Sequence, residues 1–328
     1  MRVAQFDELG ANKLGTADDL SGLDIAVLIP CYNEEATVAE VVAGFRQALP
    51  GAVVYVYDNN SADATRAKAA AAGAVVRSEP GQGKGHVVRR MFADVDADIY
   101  VLADGDATYD AGAAGRLVQT LINDRVDMVV GARRANGAQS YPRGHVFGNW
   151  LFNTLFARLF GGGFTDIFSG YRVFSRRFVK SFPALSTGFE IETELSVHAR
   201  QLRIPTAEVP LEYGERPEGS DSKLRTFSDG FKILWTLMLL VKETRPLAFF
   251  STISAILAAV ALVIAYPVVA TYLQTGLVPR FPTAFLAMGL MVLSSISLTC
   301  GLILDSVSRG RLEQKRILYL GMSPTPPQ

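Results

Sequence analysis

Cysteine is almost missing from this chain. Cys31 and Cys300 are the only two among 328 residues. They stand too far apart and in too different surroundings to suggest a mutual disulfide or a cysteine metal site, and the count fits a reducing compartment. Neither sign of charge is in excess, with 32 Lys and Arg against 32 Asp and Glu. The balance gives no reason to expect nucleic acid or another polyanion as partner. The stretch Met1 to Asp24 lacks the apolar segment of a secretory signal and is expected to be a loose tail. There are no internal repeats, and the only low-complexity run is the alanine-rich helix around Ala69–Ala72.

Apolar residues, by contrast, are plentiful, at 49% of the chain. The excess is concentrated near the C-terminus, where neither Leu247–Tyr272 nor Phe281–Leu304 contains a charged residue. Each exceeds the roughly 20 residues that cross a bilayer core, and Pro267 is a candidate kink in the first. Lys242 and Arg245 precede the pair, and Arg309, Arg311, Lys315 and Arg316 follow it. Only Arg280 lies between. By the positive-inside rule both flanks, and so the large N-terminal portion and both termini, are expected in the cytoplasm at the inner membrane. Before the spans, Phe227, Phe231, Leu234, Trp235, Met238 and Val241 recur at helical spacing, as in a helix lying in the membrane interface.

Short apolar runs alternate with helical patterns through the first half. Ile25–Ile29, Val53–Tyr57, Ala74–Arg77, Ile99–Ala103 and Met128–Val130 read as strands. Glu34–Leu49, Ala62–Ala72, Gly85–Ala93 and Ala113–Asn123 read as helices. This order predicts an α/β fold with a mostly parallel sheet, whose ligands gather at the carboxyl edge of the strands. Further on, Phe147–Phe160 and Glu190–Gln201 read as helices, and the alternation of Ala207, Val209, Leu211 and Tyr213 reads as a half-buried strand.

At such an edge stands Asp104-Gly105-Asp106. Two hard oxygen donors there suit Mg²⁺ or Mn²⁺ holding a diphosphate, and Gly105 would let the backbone turn sharply and leave room for a ligand. A solvated Asp-Gly turn is the plain alternative. Pro30-Cys31-Tyr32-Asn33-Glu34-Glu35 follows the first strand, with Pro30 ending the strand and Asn33 capping the next helix. Asp58 at the tip of the second strand can accept from a base N–H, in a segment Asp58-Asn59-Asn60-Ser61-Ala62-Asp63-Ala64-Thr65 where Ser61 can cap a helix. Gly81-Gln82-Gly83-Lys84-Gly85 precedes a helix as a phosphate cradle would, without the spacing of a Walker loop.

Together these segments resemble glycosyltransferase family 2, with its GT-A fold. Asp166-Ile-Phe-Ser169-Gly170-Tyr171-Arg172 and Arg216-Pro-Glu-Gly-Ser-Asp-Ser222-Lys223-Leu224 are similar to segments of the polyprenyl-phosphate glycosyltransferases, including dolichyl-phosphate mannose synthase, whose bacterial members often end in two membrane spans. The resemblance implies a GT-A catalytic domain over 25–225, a juxtamembrane amphipathic helix over 226–245, a two-span hairpin over 246–306 and a basic cytoplasmic tail over 307–328. Asn59 departs from a commoner aspartate, and Thr108 stands where many members carry glutamine.

The resemblance also implies site residues and partners. Pro30, Tyr32, Asn33, Glu34, Asp58, Asn60, Lys84, Asp104, Gly105, Asp106 and Arg133 would bind a nucleotide sugar, with the metal on Asp104 and Asp106. Ser169, Arg172, Arg216, Ser222 and Lys223 would hold the acceptor phosphate, with Arg225 as a further cation there; Arg134, like Arg133, could reach the diphosphate, and Arg172 is counted with the two aspartates as catalytic. Glu190, paired at helical spacing with Glu194 and near Glu192, would orient acceptor or sugar. The expected reaction is inverting transfer of a hexose to a polyprenyl phosphate, UDP-glucose being favoured over GDP-mannose. A phosphate monoester is already largely ionised near neutral pH, so a strong general base is not required. Transfer to a glycolipid or growing polysaccharide, or a non-catalytic membrane scaffold, are the alternatives. Neither tryptophan follows an arginine, which argues against a processive synthase. The oligomeric state is left open, homo-oligomers included.

Overall fold

The computed structural model describes residues 20, 22–134, 152–154, 156–188, 190–212, 214, 235 and 238–324. They form two compact units, one of residues 1–226 with 318–328, the other of residues 227–317.

The first unit is built on a seven-stranded sheet. Its strands are β1 (Ile25–Cys31), β2 (Val53–Asp58), β3 (Val75–Ser78), β4 (Ile99–Leu102), β5 (Met128–Arg134), β6 (Arg172–Ser175) and β7 (Thr206–Glu212), in the order β3-β2-β1-β4-β6-β5-β7. β3, β2, β1 and β4 pair in parallel, as do β5 and β7. β6 runs antiparallel between β4 and β5. The expected mostly parallel sheet with flanking helices is therefore present, and β6 is the exception. Its four residues are all buried, yet they begin with Arg172 and end with Ser175, so no apolar run announces it.

The helices that flank this sheet are α1 (Val38–Ala48), α2 (Thr65–Ala71), α3 (Lys84–Asp94), α4 (Ala114–Asn123), α5 (Arg176–Ser181) and α6 (Ile191–Leu202). α1 buries Val38, Val41, Val42 and Phe45, and α4 buries Ala114, Leu117, Val118 and Leu121. Both follow the i, i+3, i+4, i+7 rule for a single core-facing stripe. α6 is different. Every residue from Ile191 to Ala199 is buried, including Glu192, Glu194, Ser196 and His198. Polar groups in that position need partners.

Two expectations about turns are corrected. Pro30 does not end β1 but pairs with Tyr57 inside it. β4 pairs with β1 only as far as Leu28, whose carbonyl accepts from Ala103. Pro30 points the same way two residues later, so its missing N–H falls where β4 has already ended. Neither Asn33 nor Ser61 caps a helix. The Asn33 N–H donates to Ser61 Oγ at 2.9 Å, and the Ala62 N–H donates to Asn33 Oδ1 at 2.8 Å, so the two side chains lock one turn to the other.

At the opposite end of the sheet Asp127 accepts from Arg177 Nε and Nη2 at 2.5 and 2.6 Å, from Ser175 Oγ at 2.7 Å and from Tyr319 Oη at 2.6 Å. The C-terminal segment is thus part of the first unit.

The second unit contains α7 (Pro246–Thr275) and α8 (Phe281–Leu320) as far as Ile317. Both are long and apolar enough to cross a membrane. Large apolar side chains such as Leu262, Val263 and Leu273 are exposed along them, as lipid-facing residues would be. Their contacts with each other use small polar groups. Ser254 and Ser294 share a hydrogen bond of 2.9 Å, and Ser297 Oγ donates to the Phe250 carbonyl at 3.1 Å. α7 continues through Pro267 without a break. Of the stretch expected as a separate basic tail, residues 307–320 continue α8. Most of the expected juxtamembrane helix lies outside the described residues.

Candidate functional site

Parallel pairing brings the ends of β1, β2, β3 and β4 to one edge. Cys31 stands opposite Asp58 there, and Asp58 opposite Ser78. Asp104 and Asp106 follow β4 by two and four residues. Around them the first two turns form one network. The Glu34 N–H donates to Thr65 Oγ1 at 2.8 Å, the Ala64 N–H to Glu35 Oε2 at 3.0 Å, and the Ser61 N–H to the Asp58 carboxylate at 3.3 Å. Asp58 is only 3% exposed and Asn59 4%, while Tyr32 is exposed.

The aspartate pair is fixed from below. Thr37 Oγ1 donates to the Gly105 carbonyl at 2.6 Å. Thr108 donates to Asp106 Oδ1 through its N–H at 3.2 Å and its hydroxyl at 2.6 Å. Gly105 serves a different purpose from the one expected. Left-handed backbone occurs at Ala107, with φ 52–57° shared by Asn33 and Ala107, and not at Gly105. What Gly105 provides is space, since a Cβ there would lie 2.6 Å from Cys31 Sγ.

The Lys84 ammonium is buried between two carboxylates. It forms a short ion pair with Asp104 Oδ1 and another, of 2.5 Å, with Glu192 Oε1. Burial opposes the Lys84 charge, but the two carboxylates outweigh it and hold its pKa above the ordinary lysine value. Burial pushes the Glu192 carboxyl up, Lys84 acts against that, and the net shift is upward. Glu192 Oε2 is buried with no hydrogen-bond partner among the described residues.

Gly170 makes this packing feasible. A Cβ on it would lie 2.9 Å from the Asp104 carboxyl carbon and closer still to one oxygen. Gly170→Ala is therefore expected to displace the Asp104 carboxylate. Activity should fall by about 10²-fold, the usual effect of a displacement near 1 Å at a reacting centre, with the melting temperature little changed. Steady-state kinetics beside a thermal melt would check this.

Other residues singled out in the sequence fall elsewhere. The Gly81–Gly85 loop is no open cradle of amides. Gly81 N–H donates to Glu79 Oε1, Gly83 N–H to Asn59 Oδ1 and Gly85 N–H to the Thr187 carbonyl. The loop contributes the Lys84 ammonium. Arg172 is 0% exposed. It donates to the carbonyls of Ser169 at 2.9 Å and Ile167 at 2.7 Å and to Ser196 Oγ at 2.9 Å. Desolvation lowers its pKa. Its place is the interior, so the expectation that it grips an acceptor phosphate is withdrawn. Ser169 is equally buried and donates to the Gly131 carbonyl at 2.6 Å. It too is withdrawn as a phosphate ligand.

Arg133 donates to both oxygens of Asp166, at 2.6 and 2.8 Å. Burial raises the Asp166 pKa, but the guanidinium more than offsets it and holds the carboxyl below the ordinary range. Glu190 precedes α6, with a carboxylate oxygen beside Gly188. Its expected partner Glu194 turns away and accepts from the N–H groups of Leu185 and Ser186 at 2.9 and 2.8 Å. Glu192, one of three nearby glutamates in the sequence, is the one that meets Lys84. Asn60 donates to the Pro80 carbonyl and to Gln82 Oε1. Arg216, Ser222, Lys223 and Arg225 lie outside the described residues, as does the Arg134 side chain.

The family model for glycosyl transferase family 2 matches residues 26–182. Glycosyltransferase AglJ of Haloferax volcanii is 38% identical over 233 residues, covering 70% of this chain and 76% of that protein. The dolichyl-phosphate hexose transferase of the same organism is 31% identical over 223 residues, 68% of this chain and 96% of the relative. The chain belongs to glycosyltransferase family 2. A crystal structure of glucosyl-3-phosphoglycerate synthase from Mycobacterium tuberculosis, in complex with Mn²⁺, UDP and glucosyl-3-phosphoglycerate, superposes with a TM-score of 0.58. It is 24% identical and covers 69% of this chain and 82% of that one. That likeness bears on the fold.

At the edge just described, Asp104 and Asp106 are the residues that could hold a metal. The donor set suits a hard divalent cation. Among the described residues no three candidate ligands gather around one point. Asp104 and Asp106 would thus leave most of an octahedral shell to phosphate and water, as Mg²⁺ and Mn²⁺ sites commonly do.

Proposed function

We propose that this glycosyltransferase moves a hexose from a nucleotide sugar to a polyprenyl phosphate at the cytoplasmic face of the membrane, with inversion at the anomeric carbon. The observation that carries the reading is the meeting of Asp58, Asp104, Asp106 and Lys84 at one sheet edge in a chain that also carries two long apolar helices. The relative named dolichyl-phosphate hexose transferase, matched over 96% of its length, supports the acceptor class. The complex of the solved neighbour with Mn²⁺ and UDP supports a UDP-sugar ahead of a GDP-sugar and a divalent ion, Mg²⁺ or Mn²⁺.

In this reading Pro30, Tyr32, Asn33, Glu34, Asp58 and Asn60 border the nucleoside, and Asp104 and Asp106 hold the metal. When bound, the metal stabilises charge on the departing diphosphate. Lys84 keeps a permanent positive charge beside Asp104 and holds that carboxylate in place. Arg133, near the carboxyl end of β5 and fixed by Asp166, adds a cation at the same edge of the sheet. Arg216, Ser222 and Lys223 supply the acceptor-phosphate contacts, and Glu190 orients acceptor or sugar. The ionised acceptor oxygen attacks without needing a strong base.

A donor panel tests the whole reading. The full chain in detergent, given undecaprenyl phosphate and Mg²⁺ or Mn²⁺, is expected to yield a hexosyl lipid phosphate by mass spectrometry with one UDP- or GDP-hexose. Formation of no lipid product from any hexose donor would overturn it.

A further inference from the structure

We infer that Asn59 is a positioning residue that sets the place of Lys84, and through it the affinity for the nucleotide sugar, without touching the donor. The donor part rests on the function proposed above. The positional part does not.

Asn59 lies at the carboxyl end of β2, beside Asp58, and is 4% exposed. Its side-chain amide is saturated by backbone groups of the segment that leads into α3. Nδ2 donates to the Glu79 carbonyl at 3.0 Å and to the Gly81 carbonyl at 2.7 Å. Oδ1 accepts from the Gly83 N–H at 2.7 Å. Two acceptors and one donor surround it, which fixes the orientation of the amide and uses both of its N–H groups.

The chain makes its unusual turn where that network ends. Gly83 has φ +128°, and a Cβ there would collide with the Thr187 carbonyl oxygen. The next residue is Lys84, whose ammonium reaches Asp104 and Glu192. Asn60 supports the same loop by donating to the Pro80 carbonyl at 3.0 Å. The Glu79 N–H donates to the Asp58 carbonyl at 2.9 Å. Adjacent residues at the tip of β2 therefore place the cation that pairs with Asp104.

In this loop a carboxylate would not reproduce the amide's contacts. Aspartate at position 59 would keep the Gly83 bond but lose both donors. It would set a buried negative charge 2.7–3.0 Å from two carbonyl oxygens, which is a repulsion. The Glu79–Gly83 loop would have to move, and Lys84 with it. Serine at 59 is the gentler change, since it removes both N–H donors without adding charge.

The test is competitive amine acylation of the full chain in detergent, read by mass spectrometry, with Lys180 as a part-buried reference and Lys68 as an exposed one. In Asn59→Asp and Asn59→Ser the acylation rate of Lys84 is expected to rise at least about fivefold while Lys68 and Lys180 stay within twofold. Donor affinity by calorimetry should fall about tenfold or more, with the acceptor KM within twofold. Lys84 remaining as protected as in the unmodified chain would overturn the inference. So would an equal rise at Lys180 in Asn59→Ser, which would make Asn59 a general stability residue. If the unmodified chain bound no sugar nucleotide, the proposed function would fail while the acylation result still decided the role of Asn59.

Discussion

Asp106→Ala is expected to lower turnover by about 10³-fold or more, on the scale seen when a principal electrostatic contact of a transition state is removed. The side chain is almost wholly buried, and one oxygen is committed to both donors of Thr108. The carboxylate is thus held in a single orientation, which is what a ligand to a divalent ion requires. Its loss removes one of only two carboxylates at the edge that follow β4. Donor binding measured with Mn²⁺ and with chelator should differ strongly in the unmodified chain and hardly at all in Asp106→Ala. Near-normal turnover in the variant, with a normal response to chelator, would remove Asp106 from the metal site. The fold should survive, because the Thr37 bond to the Gly105 carbonyl does not involve the Asp106 side chain.

Arg172→Ala should act in the opposite manner, on stability before activity. The guanidinium is buried within the sheet and satisfies two carbonyls and one hydroxyl. Truncation leaves those acceptors unpaired and opens a large cavity. The combined loss is about 3–5 kcal/mol, the range for breaking a buried charged network. In a chain of this size that corresponds to a fall in melting temperature of about 10 °C or more. Arg172→Lys should recover little, because an ammonium cannot span the three acceptors of a planar fork. A variant that melted normally but bound lipid phosphate poorly would restore the role that the sequence resemblance implied. Thermal melts beside acceptor KM separate the two outcomes.

The contrast between these residues shows where sequence reading worked. β1 was legible because both of its faces are covered, so it appears as an unbroken apolar run ending in a polar turn; β2 reads the same way although Val53 on one face is exposed. Asp104 and Asp106 were legible for the same reason, since they follow the apolar run of β4. β6 was not, because its first residue is a buried arginine whose partners come from residues 167, 169 and 196. Glu190, Glu192 and Glu194 look interchangeable in the sequence. They were separated only when one met Lys84, another met the amides of Leu185 and Ser186, and the third was left at the start of the helix. Helix caps failed likewise. Asn33 and Ser61 have the chemistry of caps but found each other across 28 residues.

By itself the sequence determined the strand-and-helix order, the family, the aspartate pair and the two long apolar helices, because each is a local pattern of side-chain type. Only the tertiary structure decided which charges are tools and which are supports. Lys84 and Glu192 owe their states to partners 20 and 108 positions away, and Arg172 reaches both near carbonyls and Ser196 on another element; burial makes such tertiary partners govern the energy of every charge it encloses.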